Sequence, residues 1–325
     1  MTTGPSSKRE EDLTDRVLDG RYRVDRMLGR GGMGSVYLAF DERMRRNVVV
    51  KVPHSRFLDE EGFRERFELE IQSLTRLSHP QIVKALDTGV IARDGGRAPV
   101  PFAVLEYLAG GSLRDRLNAK GGRQAPAEVA TWLAPVAQAL DFIHARKFVH
   151  RDVKPGNVLF DESGHAFLAD FGIAKALGST DTGLTATGMT PGSPDYMAPE
   201  GGLGTEVGPT YDQYALAVVV YEALSGRLPH RGPTPVAILV QRHMEPVPAL
   251  ATVAPNVPAA VASVVMRALE RDPARRYSSC SSFAKQFVAM VEEASRGGAG
   301  LGPAAGRTID PVVTRPVAPP SPVRD

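Results

Sequence analysis

Apolar and polar positions tend to alternate from Tyr22 to Phe40. Side chains two apart share one face of a pleated strand, so this spacing predicts strands. The β-branched run "RNVVVKVP", ending at Pro53, predicts a third strand. Residues from about Asp59 to Leu77 have helical spacing, with an apolar stripe through Phe63, Phe67, Leu74 and Leu77. "PFAVLEYLAGGSL" is a further apolar strand that runs into glycines, as a connector would. Beyond it the texture becomes helical, in "PAEVATWLAPVAQALDFIHARK", "QYALAVVVYEAL" and "PAAVASVVMRALERD". A strand-rich first third followed by a helical remainder predicts an α+β protein with two lobes of different class.

The ends lack this order. Residues 1–20 are charged and poor in aromatics, which predicts a flexible leader. Residues 294–325 are rich in Gly, Pro and Ala and predict a disordered tail. Composition narrows the class only coarsely. Of the 325 residues 42% are hydrophobic and 23% charged, as in a soluble globular protein. A net charge of +2 gives no case for nucleic acid as a partner. The single cysteine, Cys280, forbids an internal disulfide. No run is long and apolar enough for a membrane segment, and the N-terminus lacks a signal-peptide core. The expectation is a cytoplasmic protein.

Candidate chemistry begins at "LGRGGMGSVYLAF", where Gly29, Gly31 and Gly34 fit G-x-G-x-x-G. In a dinucleotide-binding fold a helix follows such glycines. Here Val36, Tyr37, Leu38 and Phe40 follow, which is strand chemistry. The glycines therefore belong at a hairpin tip, either an ordinary turn or bare backbone able to lie over phosphates. Lys51 ends an apolar strand, where its ammonium needs an anion. Glu70 completes the apolar stripe of the following helix and needs a cation. Standing alone, the two could be surface charges; as partners they could hold the ammonium against phosphate oxygens.

"VHRDVKPGNVLF" and "LADFG" add Asp152, Lys154, Asn157 and Asp170 between apolar, strand-like pieces. Asn157 and Asp170 offer hard oxygen ligands suited to magnesium. Asp152 is a carboxylate able to orient a hydroxyl nucleophile and accept its proton. With "APE" following in order behind the glycine loop and strand lysine, chance co-occurrence is improbable.

Together these segments resemble eukaryotic-type protein kinases, most closely bacterial serine/threonine kinases of the Hanks type. "LSHPQIV", "DFGIAK" and "ALERDPARRY" strengthen the resemblance, which spans about Tyr22 to Val291. It implies a two-lobed protein-kinase fold over residues 21–293, with a β-rich N-lobe (about 21–105), a hinge (106–110) and a larger helical C-lobe (111–293). ATP would lie in the cleft, with Mg2+ or Mn2+.

The family roles fall on individual positions. Gly29, Gly31 and Gly34 would cover the phosphates, and Lys51 would bind them while fixed by Glu70. Leu28, Val36 and Val49 would roof the adenine, with Leu159 beneath. Glu106 and Leu108 would offer hinge backbone groups, with Leu105 as gatekeeper. Asp152 would be the base, Lys154 the γ-phosphate contact, and Asn157 and Asp170 the metal ligands. Lys154 is the mark of serine/threonine specificity. Ser193 stands where threonine is usual and keeps the substrate-positioning hydroxyl. Val49 stands where alanine is usual and narrows the roof.

Between Asp170 and Glu200 the chain resembles an activation loop. Thr185 and Thr187 match the paired autophosphorylation threonines of bacterial relatives, and Thr190 is a third candidate. Arg151 would receive the phosphate. Glu200 would bridge to Arg276, and Asp212 would hold the catalytic loop from a buried helix. The expected partners are ATP and proteins bearing Ser or Thr, with a homodimer for trans-autophosphorylation. The alternatives are a pseudokinase or nucleotide-gated scaffold, and a small-molecule kinase of similar fold. Lys51, Asp152 and Asp170 are the residues a pseudokinase commonly lacks; "GSPDYMAPE" belongs to protein-substrate kinases.

Overall fold

The computed structural model describes residues 12–31, 34–54, 58, 78–93, 99–170, 194–202 and 207–299. Among the described residues the N-terminal lobe contains one antiparallel sheet of six strands: β1 (Val17–Leu18), β2 (Tyr22–Arg30), β3 (Gly34–Asp41), β4 (Arg46–Pro53), β5 (Ala85–Ile91) and β6 (Val100–Glu106). Their spatial order is β1-β2-β3-β4-β6-β5. Alternation decides the faces. Tyr37, Ala39, Val48, Val50, Val52, Phe102 and Val104 are buried in the lobe's own core. Val36, Leu38, Val49 and Lys51 are only partly buried and face the other way.

Residues 12–20 are not part of a flexible leader, against the expectation for residues 1–20. Leu13 and Leu18 are buried in the N-lobe core, and β1 pairs with β2 at Val17↔Arg23 and Leu18↔Tyr22. Two buried leucines among charged neighbours make too sparse a pattern to read as a strand. Strand β5, "ALDTGVI", is likewise not among the strands the pattern predicts. Its Asp, Thr and Gly dilute the alternation, and only pairing with β6 makes it a strand.

The helical lobe contains α1 (Leu113–Ala119), α2 (Pro126–His144), α3 (Pro209–Ser225), α4 (Pro235–Met244), α5 (Leu250–Val253), α6 (Ala259–Ala268) and α7 (Cys280–Ala299). A small hairpin of β7 (Val158–Phe160) and β8 (Ala166–Leu168) carries the segment next to the cleft. Helix α3 is buried at every position from Tyr211 to Ser225, so it is the central post of the lobe. It stops at Gly226, whose φ of 75° is the left-handed conformation that glycine adopts without a side-chain clash. Helix α2 begins with Pro126 in its first turn, and the Glu128 carboxylate accepts the Ala125 N–H at 3.0 Å. Trp132, buried in α2, donates to Gln124 Oε1 at 2.9 Å. Helix α7 continues through Gly297 and Gly298 to Ala299, beyond the expected tail boundary at 294. Those glycines read as chain breakers, but a helix already docked through buried Phe283 and Phe287 can carry them at its end.

Candidate active site

The cleft face of the sheet follows from register. Val36 lies opposite Lys51, Leu38 opposite Val49, Lys51 opposite Ala103 and Val49 opposite Leu105. Directly opposed residues point to one side, so Val36, Val49, Lys51 and Leu105 share a face. Leu28, on β2, is 39% exposed. At the end of β6 the Glu106 N–H donates to Lys84 O at 3.0 Å, so a bond from Glu106 backbone to a base would run from its carbonyl. The chain then passes Leu108 to Gly110, where there is no room for a side chain: an added Cβ would lie 2.2 Å from Asp161 O. Gly110 N–H donates to Phe160 O and Phe160 N–H to Gly111 O, which brings the connector against β7. Val158 and Phe160 enter the core, leaving partly buried Leu159 on the opposite face of β7.

The segment from His150 to Asn157 is held from behind by one buried carboxylate. Asp212, fully buried on α3, accepts from His144 Nε2 (2.7 Å), His150 N (2.7 Å) and Arg151 N (2.8 Å). Three donors satisfy a charge that burial would otherwise penalise heavily. Arg151 has φ of 62°, a left-handed conformation costly for a residue with a side chain. The Asp212 bonds to its own and the preceding amide sustain that turn. His150 is buried, and its Nε2 lies 3.0 Å from Ala169 O. A carbonyl only accepts, so Nε2 carries the proton, and Nδ1 accepts the Asp152 N–H at 3.3 Å. Both roles require a neutral ring, and burial indeed pushes the His150 pKa down.

Asp152 faces a cation and an amide. Lys154 Nζ lies 2.7 Å from Asp152 Oδ2. Asn157 Nδ2 donates to Asp152 O (2.8 Å) and to Asp152 Oδ2 (3.1 Å). Two acceptors fix the orientation of the Asn157 amide, and its carbonyl oxygen therefore points away from Asp152. Ala169 N–H donates to Asn157 O at 2.8 Å, which sets Asp170 beside this group. Asp170 has φ of 51° and meets Lys51 Nζ at 3.0 Å from the opposite lobe. The ammonium beside it holds the Asp170 carboxyl below the usual carboxylate range, opposed by its own burial. An ionised Asp170 and the outward Asn157 oxygen form a donor set that fits a hard divalent cation.

Glu200 and Arg276 form a bidentate pair at 2.7 and 2.9 Å, the Arg276 side chain being wholly buried. Arg276 also donates to the carbonyls of Thr210, Glu270 and Arg271. Glu70, Thr185, Thr187, Thr190 and Ser193 lie outside the described residues.

Residues 22–288 match the family model described as "Protein kinase domain". The chain belongs to the protein kinase family. This kinase domain is 38% identical over 274 residues to the serine/threonine-protein kinase PknA of Mycobacterium tuberculosis, covering 84% of this chain and 62% of that protein. It is 37% identical over 283 residues to the serine/threonine-protein kinase PknB of Mycolicibacterium smegmatis, covering 86% of this chain and 44% of that one. The chain thus spans less than two thirds of the length of these relatives. A crystal structure of the Mycobacterium tuberculosis PknI kinase domain superposes with a TM-score of 0.65 at 31% identity, over 87% of this chain and all of that one.

Two contributors to the kinase site carry no role in the motif reading. His144 and His150 shape the segment from His150 to Asn157 through Asp212, Ala169 and Asp152. His150 sits inside the quoted motif, so its place is visible, but its bonds depend on a helix 62 residues away. Among the described residues, no helix is long and apolar enough to cross a membrane.

Proposed function

We propose that this domain transfers the terminal phosphoryl group of ATP to serine and threonine hydroxyls of proteins, its own activation loop included. The observation that carries the reading is the convergence of Asp152, Lys154 and Asn157 with the Lys51–Asp170 pair across the cleft. Phosphoryl transfer depends chiefly on positioning and charge stabilisation, and each group here has a part in that. Asp152 orients the attacking hydroxyl and takes its proton at the carboxylate. Lys154, now paired with Asp152, is placed to meet the transferring phosphate. Lys51 binds the α- and β-phosphates, and the glycine hairpin covers them. Asn157 and Asp170 would hold the divalent cation, Mg2+ by preference with Mn2+ as substitute, and the cation neutralises phosphate charge when bound. Leu28, Val36, Val49, Leu105 and Leu159 enclose the base, with Glu106 and Leu108 at its edge.

Thr185, Thr187 and Thr190 are the proposed autophosphorylation sites, with Arg151 as receiver of the phosphate. Ser193 is the proposed substrate-positioning hydroxyl. Transfer onto the loop of another copy would make a homodimer the activating species.

Incubation with labelled ATP and divalent cation, followed by phosphosite mapping, tests the proposal. Wild type should label Thr185, Thr187 or Thr190 and a general protein substrate. Asp152→Asn, which keeps the shape but loses the base, should fall by at least about a hundredfold. Equal labelling by both proteins would favour the scaffold reading, against which the intact Lys51, Asp152 and Asp170 already weigh.

A further inference from the structure

The lysine strand β4 ends Val52–Pro53, and His54 follows. Pro53 lies opposite Gly34 of the glycine hairpin. Proline has no N–H, so the ladder cannot draw a backbone donor from β4 at its outermost pair. The next residue supplies one from its side chain. His54 Nε2 lies 2.8 Å from Gly31 O, and a carbonyl only accepts, so Nε2 carries the proton. The residue is only 8% exposed, so solvent competes little for the bond.

The hairpin is built to transmit that bond. Gly31 N–H donates to Gly34 O at 2.8 Å, so both backbone polar groups of Gly31 are engaged. Gly34 presses backbone to backbone on β4: an added Cβ would lie 2.3 Å from Val52 O. Gly34 and Gly31 are therefore held by different means, Gly34 against β4 by close packing and Gly31 by the imidazole just beyond the strand. Lys51 lies on β4, three residues before His54.

We propose that His54 is a positioning residue for nucleotide binding, a clamp that holds the Gly31 end of the hairpin in register with Lys51. The Gly31 backbone and the Lys51 ammonium then face one triphosphate together. The inference rests on the ATP-dependent activity proposed above. Without the imidazole donor, the Gly31 carbonyl loses that bond and the Gly31 backbone is no longer held in register with Lys51. The groups that meet the reacting hydroxyl lie in the other lobe, so the loss should fall on ATP binding more than on turnover.

Steady-state kinetics in ATP, with direct titration of ATP and melting of each protein, tests the clamp. His54→Phe keeps bulk and burial but removes the donor. It should raise KM and Kd for ATP about tenfold, the scale of one lost buried hydrogen bond, with kcat changed less than about threefold. His54→Gln places an amide N–H near the position of Nε2 and should recover most of the affinity. Unchanged ATP affinity in His54→Phe beside an active wild type would overturn the clamp alone. So would a Gln variant as weak as Phe, which would point to packing. A wild type that binds no ATP would overturn the kinase reading itself.

Discussion

At the scale of single residues, the site depends on charges that are each answered by named donors. Asp212 is the strictest case, a buried carboxylate with two amides and an imidazole on it. Asp212→Ala would leave three buried donors without an acceptor and release the left-handed turn at Arg151. We expect a loss of about 3–5 kcal/mol in urea unfolding, with phosphoryl transfer abolished in whatever remains folded. An Asp212→Ala protein of wild-type stability would contradict this account. Asp170 shows the opposite arrangement, a carboxylate kept ionised by a lysine from another lobe. Lys51, Asp152, Asn157 and Asp170 could all be picked out of the sequence by residue type and motif. That Lys51 meets Asp170 at 3.0 Å across 119 residues of chain could not.

At the scale of elements, strict periodicity was legible and weak periodicity was not. Strand β4 alternates buried valines with Val49 and Lys51, and its outline was visible at once. Strand β5 carries Asp87, Thr88 and Gly89, and owes its existence to its partner strand. Asp87 also has a tertiary task, accepting from Tyr22 Oη at 2.6 Å and Arg21 at 2.8 Å. The stretch before β2 is similar, since Leu13 and Leu18 matter only because the sheet offers them a place. Truncating both to Ala should lower stability by about 2–5 kcal/mol and leave the helical lobe's core untouched. Hydrogen exchange would show the loss as faster exchange in the strands of the N-terminal lobe alone. A uniform change across both lobes would argue against independent cores.

At the scale of the whole molecule, two cores of different architecture are joined by the connector after β6 and by contacts at β8. Val83 N–H donates to Leu168 O and Leu168 N–H to Gln81 O, so the chain entering β5 is tied to the helical lobe. Acid stability reports on both lobes together. Burial lowers the pKa of His150 and of His230, so the folded chain resists a proton that the unfolded chain accepts below about pH 6.5. Their contribution is therefore complete above that pH and lost as the pH falls. Arg21 and neighbouring amides hold the Asp41 pKa at about 2 against an opposing burial effect. Stability from Asp41 is present above the ordinary aspartate range and lost as the pH falls toward 2. The melting temperature should thus fall in two steps, one beginning near pH 6.5 and one below pH 4. His230→Phe should shrink the first step and spare the second; a first step of full size in that variant would assign it elsewhere.

By itself the sequence determined the class of this protein and named its candidate catalytic groups. Burial patterns are local and repeat along the chain, and the candidate catalytic groups come in short motifs, so both are readable without coordinates. The family, the two-lobed α+β architecture and the candidate catalytic residues all follow from such local signals. Tertiary structure alone decided how separate segments meet. The Lys51–Asp170 pair, the three donors on Asp212 and the imidazole of His54 on Gly31 depend on strand register and on which helix lies behind which loop. Those are set by packing among residues far apart in the chain, where no local period carries the information.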